Sequence, residues 1–180
     1  MNETITGASM MREVLQVYPG AQRALFRKYH VGGCSSCGFQ PDETLAGVCE
    51  RNGKLPVDDV LEQIKQSQEE DARILIKPTD LAKRLAKGED IRLVDIRSRE
   101  EFEAVHIDGS VLFTQPLMQE ILGSWNNDQR FVMIDHQGKK GLDAAAYYLG
   151  HGMPNVHALR GGIDAWSLEV DPTIRRYTLS

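Results

Sequence analysis

The sequence predicts an α/β domain with a doubly wound parallel sheet over residues 74–180, preceded by a small all-α domain over 1–66. Three observations carry this. Beyond residue 74, short apolar runs rich in β-branched residues (IRLVDI, FVMID, NVHAL) alternate with helical patterns. Such runs suit strands covered on both faces, and their alternation with helices builds a parallel sheet. Before residue 66, apolar residues recur only at helical spacing. Between the two, SQEEDAR (67–73) is polar and acidic and is expected as a linker.

The elements follow in order. Met10, Met11, Val14 and Leu15 share one helical face, and Pro19 and Gly20 end that run. Ala21, Leu25, Phe26 and Tyr29 form a second stripe. A glycine- and serine-rich loop from His30 to Pro41 holds Cys34 and Cys37. A third helix is expected from Pro41 and Asp42, with Leu45, Val48 and Cys49 on one side, since proline is accepted in a first turn. A fourth follows Pro56 on Val57, Val60, Leu61 and Ile64. In the second domain, strands are expected at 74–76, 91–96, 110–113, 130–135 and 155–159. Helices are expected near 79–87, 98–104, 116–122, 141–151 and 162–167. In open parallel sheets the site lies at the carboxyl ends of the strands, which gathers Asp95, Asp135 and the loop after Leu159 around one crevice.

The chain is 41% hydrophobic and 26% charged, with net charge −5 spread evenly. No basic block supplies the footprint of a nucleic-acid binder. No apolar run reaches the ~18–20 residues that cross a bilayer, so no membrane association is expected. The opening MNETITGASMMREV has no basic stretch followed by an apolar core, so a cytoplasmic location is expected. Three cysteines, two of them in C-x-x-C spacing, suit metal or redox chemistry in a reducing compartment better than a disulfide framework.

Three stretches carry a resemblance to the rhodaneses, a sulfurtransferase family. FVMIDHQGKKGLDAAAYYLG (131–150) resembles the family's active-site strand, loop and helix. LVDIRSREEFEAVHIDGS (93–110) is similar to its D-x-R…E-F…H-I-x-G stretch. NVHALRGGIDAW (155–166) is similar to its closing strand and G-G-x-x-x-W turn. Together they span roughly 74–171 and imply the rhodanese fold. The tail WSLEVDPTIRRY (166–177) looks like the end of single-domain rhodaneses from iron–sulfur assembly settings. The resemblance also implies that Asp95 helps hold the active-site loop and that His106 is a structural histidine in a core or capping role. Gly161 and Gly162 are expected in a tight turn of positive φ, and Trp166 in the core.

In that family the active-site strand ends in a cysteine. Here the matching position is Asp135, and a carboxylate cannot carry a persulfide. Gly141 stands where a loop-closing Ser or Thr is usual. A strand running through a turn into a helix aims backbone N–H groups at one centre, aided by the helix dipole. Asp135 would put its own carboxylate at the base of this cradle, filling it with an internal anion and repelling thiosulfate. The candidate loop and anion-binding set is Asp135, His136, Gln137, Gly138, Lys139, Lys140 and Gly141, with Asp95 and Arg97 organising the neighbouring strand end. Three readings of the loop follow. Asp135 is a local cap, or the retained crevice binds a partner or ligand, or Asp135 and His136 act as base and acid. Sequence neighbours at a strand end tend to point apart, which disfavours the third.

The segment YHVGGCSSCGFQPDETLAGVCERNG (29–53) carries the remaining chemistry. Cys34 and Cys37 present two sulfurs from one turn. Cys49 and His30 are the candidates to complete a four-ligand set suited to Zn²⁺. An iron–sulfur cluster, alone or shared across a dimer, fits three cysteines as well. A dithiol redox pair or persulfide carrier is the metal-free alternative. Cys49 lies on an apolar helical face, where a buried structural thiol is the simpler expectation. Residues 5–66 (EVLQVYP, the glycine-flanked CSSC and the ETL helix) resemble a small helical C-x-x-C domain of unknown function. Related domains occur at the N-terminus of iron–sulfur-cluster repair proteins. A domain of this size gains from a metal, a partner or dimerisation, so a homodimer through it is a further expectation.

The leading expectation is a rhodanese-like protein inactive at Asp135. It would act as a binding or scaffold module with a protein partner in sulfur or iron–sulfur trafficking, through a metal or redox C-x-x-C domain. Two alternatives stand beside it: a sulfurtransferase or thiol-redox enzyme using Cys34 and Cys37 as sulfur carrier, and a zinc-stabilised interaction protein.

Overall fold

The computed structural model describes residues 4–32 and 38–178. The chain divides into two compact units, Met1–Ala72 and Arg73–Ser180.

The first unit is helical: α1 (Met11–Val17), α2 (Ala21–Tyr29), α3 (Leu45–Arg51) and most of α4 (Val57–Ile74). Met11, Val14, Ala21, Leu25, Leu45, Val48, Val60 and Ile64 form its core, as their spacing requires. Phe26, expected in the second stripe, is instead 45% exposed, with its ring edge-on to His30.

The third helix starts later than Pro41 and Asp42. Thr44 is extended and its hydroxyl accepts a hydrogen bond from the Gly47 N–H (3.1 Å), so the helix begins at Leu45. Residues 67–73, expected as a linker, continue α4. Ser67 and Asp71 stand one turn apart and are both buried, and Asp71 pairs with Arg23 of α2. Gln and Glu favour helix, so a polar stretch that buries Ser67 and Asp71 on one face extends the helix rather than ending it.

The second unit contains β1 (Leu75–Ile76), α5 (Pro78–Ala86), β2 (Ile91–Asp95), α6 (Arg99–Ala104), β3 (Ser110–Leu112), α7 (Gln115–Gly123), β4 (Arg130–Ile134), α8 (Lys139–Gly150), β5 (Val156–Leu159) and α9 (Gly162–Glu169). The five strands are parallel in the order β1-β5-β4-β2-β3. β4 is central, and its side chains alternate between two cores. Phe131 and Met133 pack with Ile121 of α7 and Ala145 and Tyr148 of α8. Val132 and Ile134 pack with Leu81 of α5 and Ile163 and Trp166 of α9. This two-faced burial explains the near-continuous apolar runs and makes the sheet doubly wound. It delivers Asp95 and Asp135 to the carboxyl ends of adjacent strands.

Candidate functional site

Asp135 follows the last residue of β4 and is 5% exposed. Its Oδ1 accepts from the Gly138 N–H (2.6 Å) and its Oδ2 from the Lys140 N–H (2.9 Å). Both N–H groups belong to the first turn of α8 or its cap, where no helical carbonyl can receive them. The carboxylate therefore satisfies the orphan donors and lies at the positive end of the helix dipole. The turn depends on Gly138, at φ +91°, where a Cβ would lie 2.6 Å from Gly161 N. Gly162, at φ +62°, passes so close to the loop that a Cβ would collide with the Asp135 and His136 carbonyls. That approach lets Ile163 N–H donate to Asp135 O (2.9 Å) and Asp164 N–H to His136 O (3.1 Å). The first turn of α9 thus clamps the loop from its other side. Gln137, Lys139 and Lys140 remain exposed at the rim.

On the next strand, Asp95 is fully buried and held by Arg97. Arg97 donates from its backbone N–H (3.0 Å) and Nε (2.9 Å) to Asp95 Oδ1, and from Nη2 (2.6 Å) to Oδ2. Nη2 also reaches the Val105 carbonyl (2.7 Å) and Nη1 the Tyr177 hydroxyl (2.9 Å). Burial opposes the Arg97 charge, but the bonds with Asp95 and Tyr177 outweigh it and raise the guanidinium further. The Tyr177 hydroxyl in turn donates to Glu101 Oε1 (2.7 Å). Burial and that bond push the Tyr177 phenol up to about 12, against the pull of Arg97. Asp95 and Arg97 thus organise the strand end as the sequence suggests. Glu101 belongs to the E-F pair of the 93–110 stretch and Tyr177 ends the 166–177 tail, but no local pattern ties either to the crevice.

His136 does not work with Asp135. Its Nε2 donates to the Tyr177 carbonyl (3.0 Å), and its ring stacks on the Tyr177 ring at 4.3 Å between centroids. Both Asp135 oxygens are taken by the loop. The base-and-acid reading of this pair is therefore corrected, since the two side chains turn to different partners. His106 is exposed, and it caps rather than fills a core: its Nδ1 bonds the Phe102 carbonyl (2.8 Å) at the end of α6. Trp166 is buried, as expected.

Cys34 and Cys37 lie outside the described residues. The flanks of their loop are tied down, with Gln22 donating to Gly32 O (3.3 Å) and Arg51 to Gly38 O (3.0 Å). Cys49 is buried in the first core, and burial pushes its thiol up, away from the thiolate a metal needs. His30 is exposed in a left-handed cap at the end of α2. Among the described residues, no group of three or more His, Cys, Asp or Glu side chains is placed to hold a metal ion. Among the same residues, no helix is long and apolar enough to cross a membrane.

With this geometry in place, known proteins give the class. A family model described as "Rhodanese-like domain" matches residues 77–169. The chain belongs to the rhodanese-like domain family. It is 30% identical over 89 residues to a thiosulfate sulfurtransferase, GlpE, of Pseudomonas putida, covering 49% of this chain and 81% of that protein. It is 31% identical over 104 residues to a probable adenylyltransferase/sulfurtransferase, MoeZ, of Mycobacterium tuberculosis, covering 57% of this chain but only 26% of MoeZ. A human single-domain sulfurtransferase, TSTD1, superposes with a TM-score of 0.48 at 23% identity, over 53% of this chain and 96% of that one.

Proposed function

We propose that this chain is a rhodanese-like protein of sulfur or iron–sulfur metabolism that does not transfer sulfur at position 135. It acts instead as a binding or scaffold module for a protein partner, with the C-x-x-C at Cys34 and Cys37 as its metal or redox element. The observation that carries the reading is the Asp135 carboxylate, whose two oxygens accept from the Gly138 and Lys140 N–H groups of the loop. Sulfur transfer at a rhodanese loop needs a thiolate to accept the sulfane sulfur and free donors to hold the resulting anion. Here no thiol stands at position 135, and two of the loop's donors, the Gly138 and Lys140 N–H groups, are already engaged. The remaining features serve recognition: a rigid crevice, exposed Lys139 and Lys140, and a sheet that fixes their position. The names of the sulfurtransferase relatives supply the metabolic setting.

The test is a thiosulfate-to-cyanide sulfur-transfer assay on the full chain. Wild type is expected to show no turnover attributable to position 135, and Asp135→Cys is expected to gain activity. Turnover by wild type that survives Cys34→Ser and Cys37→Ser would overturn the reading. Turnover lost in those variants would move the chemistry to the C-x-x-C. Iron, sulfide and zinc content of anaerobically purified protein then distinguishes a cluster from zinc or free thiols.

A further inference from the structure

The segment after α9 lies against that helix and against His136 of the 135–141 loop, without helix or strand of its own. Three clasps hold it. Ile174 packs into the second unit's core, and its carbonyl accepts from the Ser167 hydroxyl (2.6 Å). Arg176 pairs with Asp164 through Nε (2.6 Å) and Nη2 (3.0 Å). Tyr177 uses its ring, hydroxyl and carbonyl at once, on His136, on Arg97 and Glu101, and on His136 Nε2. The seam between this segment and His136, Ile163, Asp164 and Ser167 has no room for a water molecule. His136 is the sole imidazole of the loop, and both its ring face and its Nε2 are spent on the tail.

We infer that residues 171–178 form a releasable strap, latched by Tyr177, that sequesters His136 on one flank of the crevice. Release of the latch bares the His136 ring, the Glu101 carboxylate and the outer edge of the Arg97 guanidinium together. A partner that docks on this flank must displace the strap first. The physical basis for opening is the way the segment is attached. Beyond Ile174 it is fastened by side chains rather than by a backbone ladder, and one clasp, Arg176–Asp164, is an exposed pair weakened by salt. Segments so held open locally far more readily than the fold unravels. Ile174, seated in the core, is the point about which the end swings. The device holds whether or not the domain transfers sulfur, so its failure and that of the proposed function are read in separate assays.

The test uses the full chain and diethyl pyrocarbonate, with modification of each histidine followed by peptide mass spectrometry near neutral pH. His106 and His151, exposed and each bonded through Nδ1 to a backbone carbonyl, serve as internal references. Wild-type His136 is expected to react more slowly than both. Tyr177→Ala is expected to raise its rate about tenfold against the references, with Tyr177→Phe and Arg176→Ala giving smaller increases. Wild-type His136 reacting as fast as the references would overturn the strap, as would an unchanged rate in a folded Tyr177→Ala. If Tyr177→Ala does not fold, Tyr177→Phe and Arg176→Ala decide: no rise in either overturns it.

Discussion

A Cβ placed on Gly141 would lie 3.1 Å from Asp135 Oδ1, so the bare position at 141 and the carboxylate at 135 are two halves of one arrangement. A carboxylate is wider than a thiol, and together with the Met133 carbonyl (3.3 Å from such a Cβ) it leaves a side chain at 141 little room.

This pairing gives the first prediction. Gly141→Ala gains helix propensity in α8 but crowds Oδ1, and the two effects oppose each other. In an Asp135→Cys background the contact with Oδ1 is removed, leaving the one with the Met133 carbonyl (3.3 Å), and the propensity gain remains. Urea denaturation of the four proteins of the double-mutant cycle should show a coupling of about 1 kcal/mol, with Gly141→Ala more favourable beside the cysteine substitution. Additive effects would separate the two positions.

Asp135→Asn keeps the shape but removes the charge and turns an amide N–H₂ toward a backbone N–H. One of the two loop bonds, to Gly138 or Lys140, must be lost. Chemical denaturation should show a loss of about 1–3 kcal/mol. A neutral result would mean that the carboxylate does not hold the loop.

Arg97→Met should be among the costliest single changes in the second unit. It leaves the fully buried Asp95 carboxylate without its charged partner. Removal of one member of a buried pair costs about 3–5 kcal/mol, measurable as a shift in the denaturation midpoint. Arg97→Lys should not restore it, because an ammonium cannot reach Asp95, Val105 and Tyr177 together.

The strap should also respond to pH. Burial raises Glu101, but its bonds from Tyr177 and Ser98 outweigh that and leave it below its ordinary value of 4.5. The bond from Arg176 holds Asp164 below its ordinary 3.8. Carboxyls depressed in the folded state contribute stability that is present above their ordinary values and is lost as pH falls through the lowered ones. Tyr177 has the opposite sign: its proton is retained in the closed state, so its contribution is full below 10.0 and is lost as pH rises through about 12. NMR signals of the Tyr177 ring should therefore stay distinct from those of a free tyrosine across the neutral range and move toward them at both extremes. Loss of the closed signals near neutral pH would contradict this.

Cys49 should resist alkylation in the native protein and react only when denaturant opens the first core. Its thiol is 2% exposed and its ionisation is suppressed by burial. Rapid native labelling at Cys49, located by mass spectrometry, would return it to the candidate ligands.

The sheet was legible in the sequence because each strand is buried on both faces and so reads as an apolar run. The predicted strands fall within a residue or two of β1 to β5. The self-filled cradle was legible too, since a strand–turn–helix motif fixes where the N–H groups point and Asp135 sits at their focus. What escaped were features set by partners distant in sequence. Tyr177 meets His136 and Arg97 across long stretches of chain, and its own neighbourhood, TIRRYTLS, has no periodicity to mark it. The late start of α3 turned on the Thr44 cap, which a search for apolar spacing passes over. Residues 67–73 read as a linker because buried Ser67 and Asp71 are polar, so their burial left no apolar trace.

The saturated cradle also bears on what the loop looks like when nothing is bound. A loop whose converging amides await an outside anion changes its hydration and rigidity each time that anion arrives or leaves. Here the anion is covalently part of the chain, and the Gly138 and Lys140 amides have it as their built-in neighbour. At Gly138 and Lys140 the occupant is thereby set by the sequence rather than by the surroundings, and the part of the loop left to vary is the His136 flank beneath the strap.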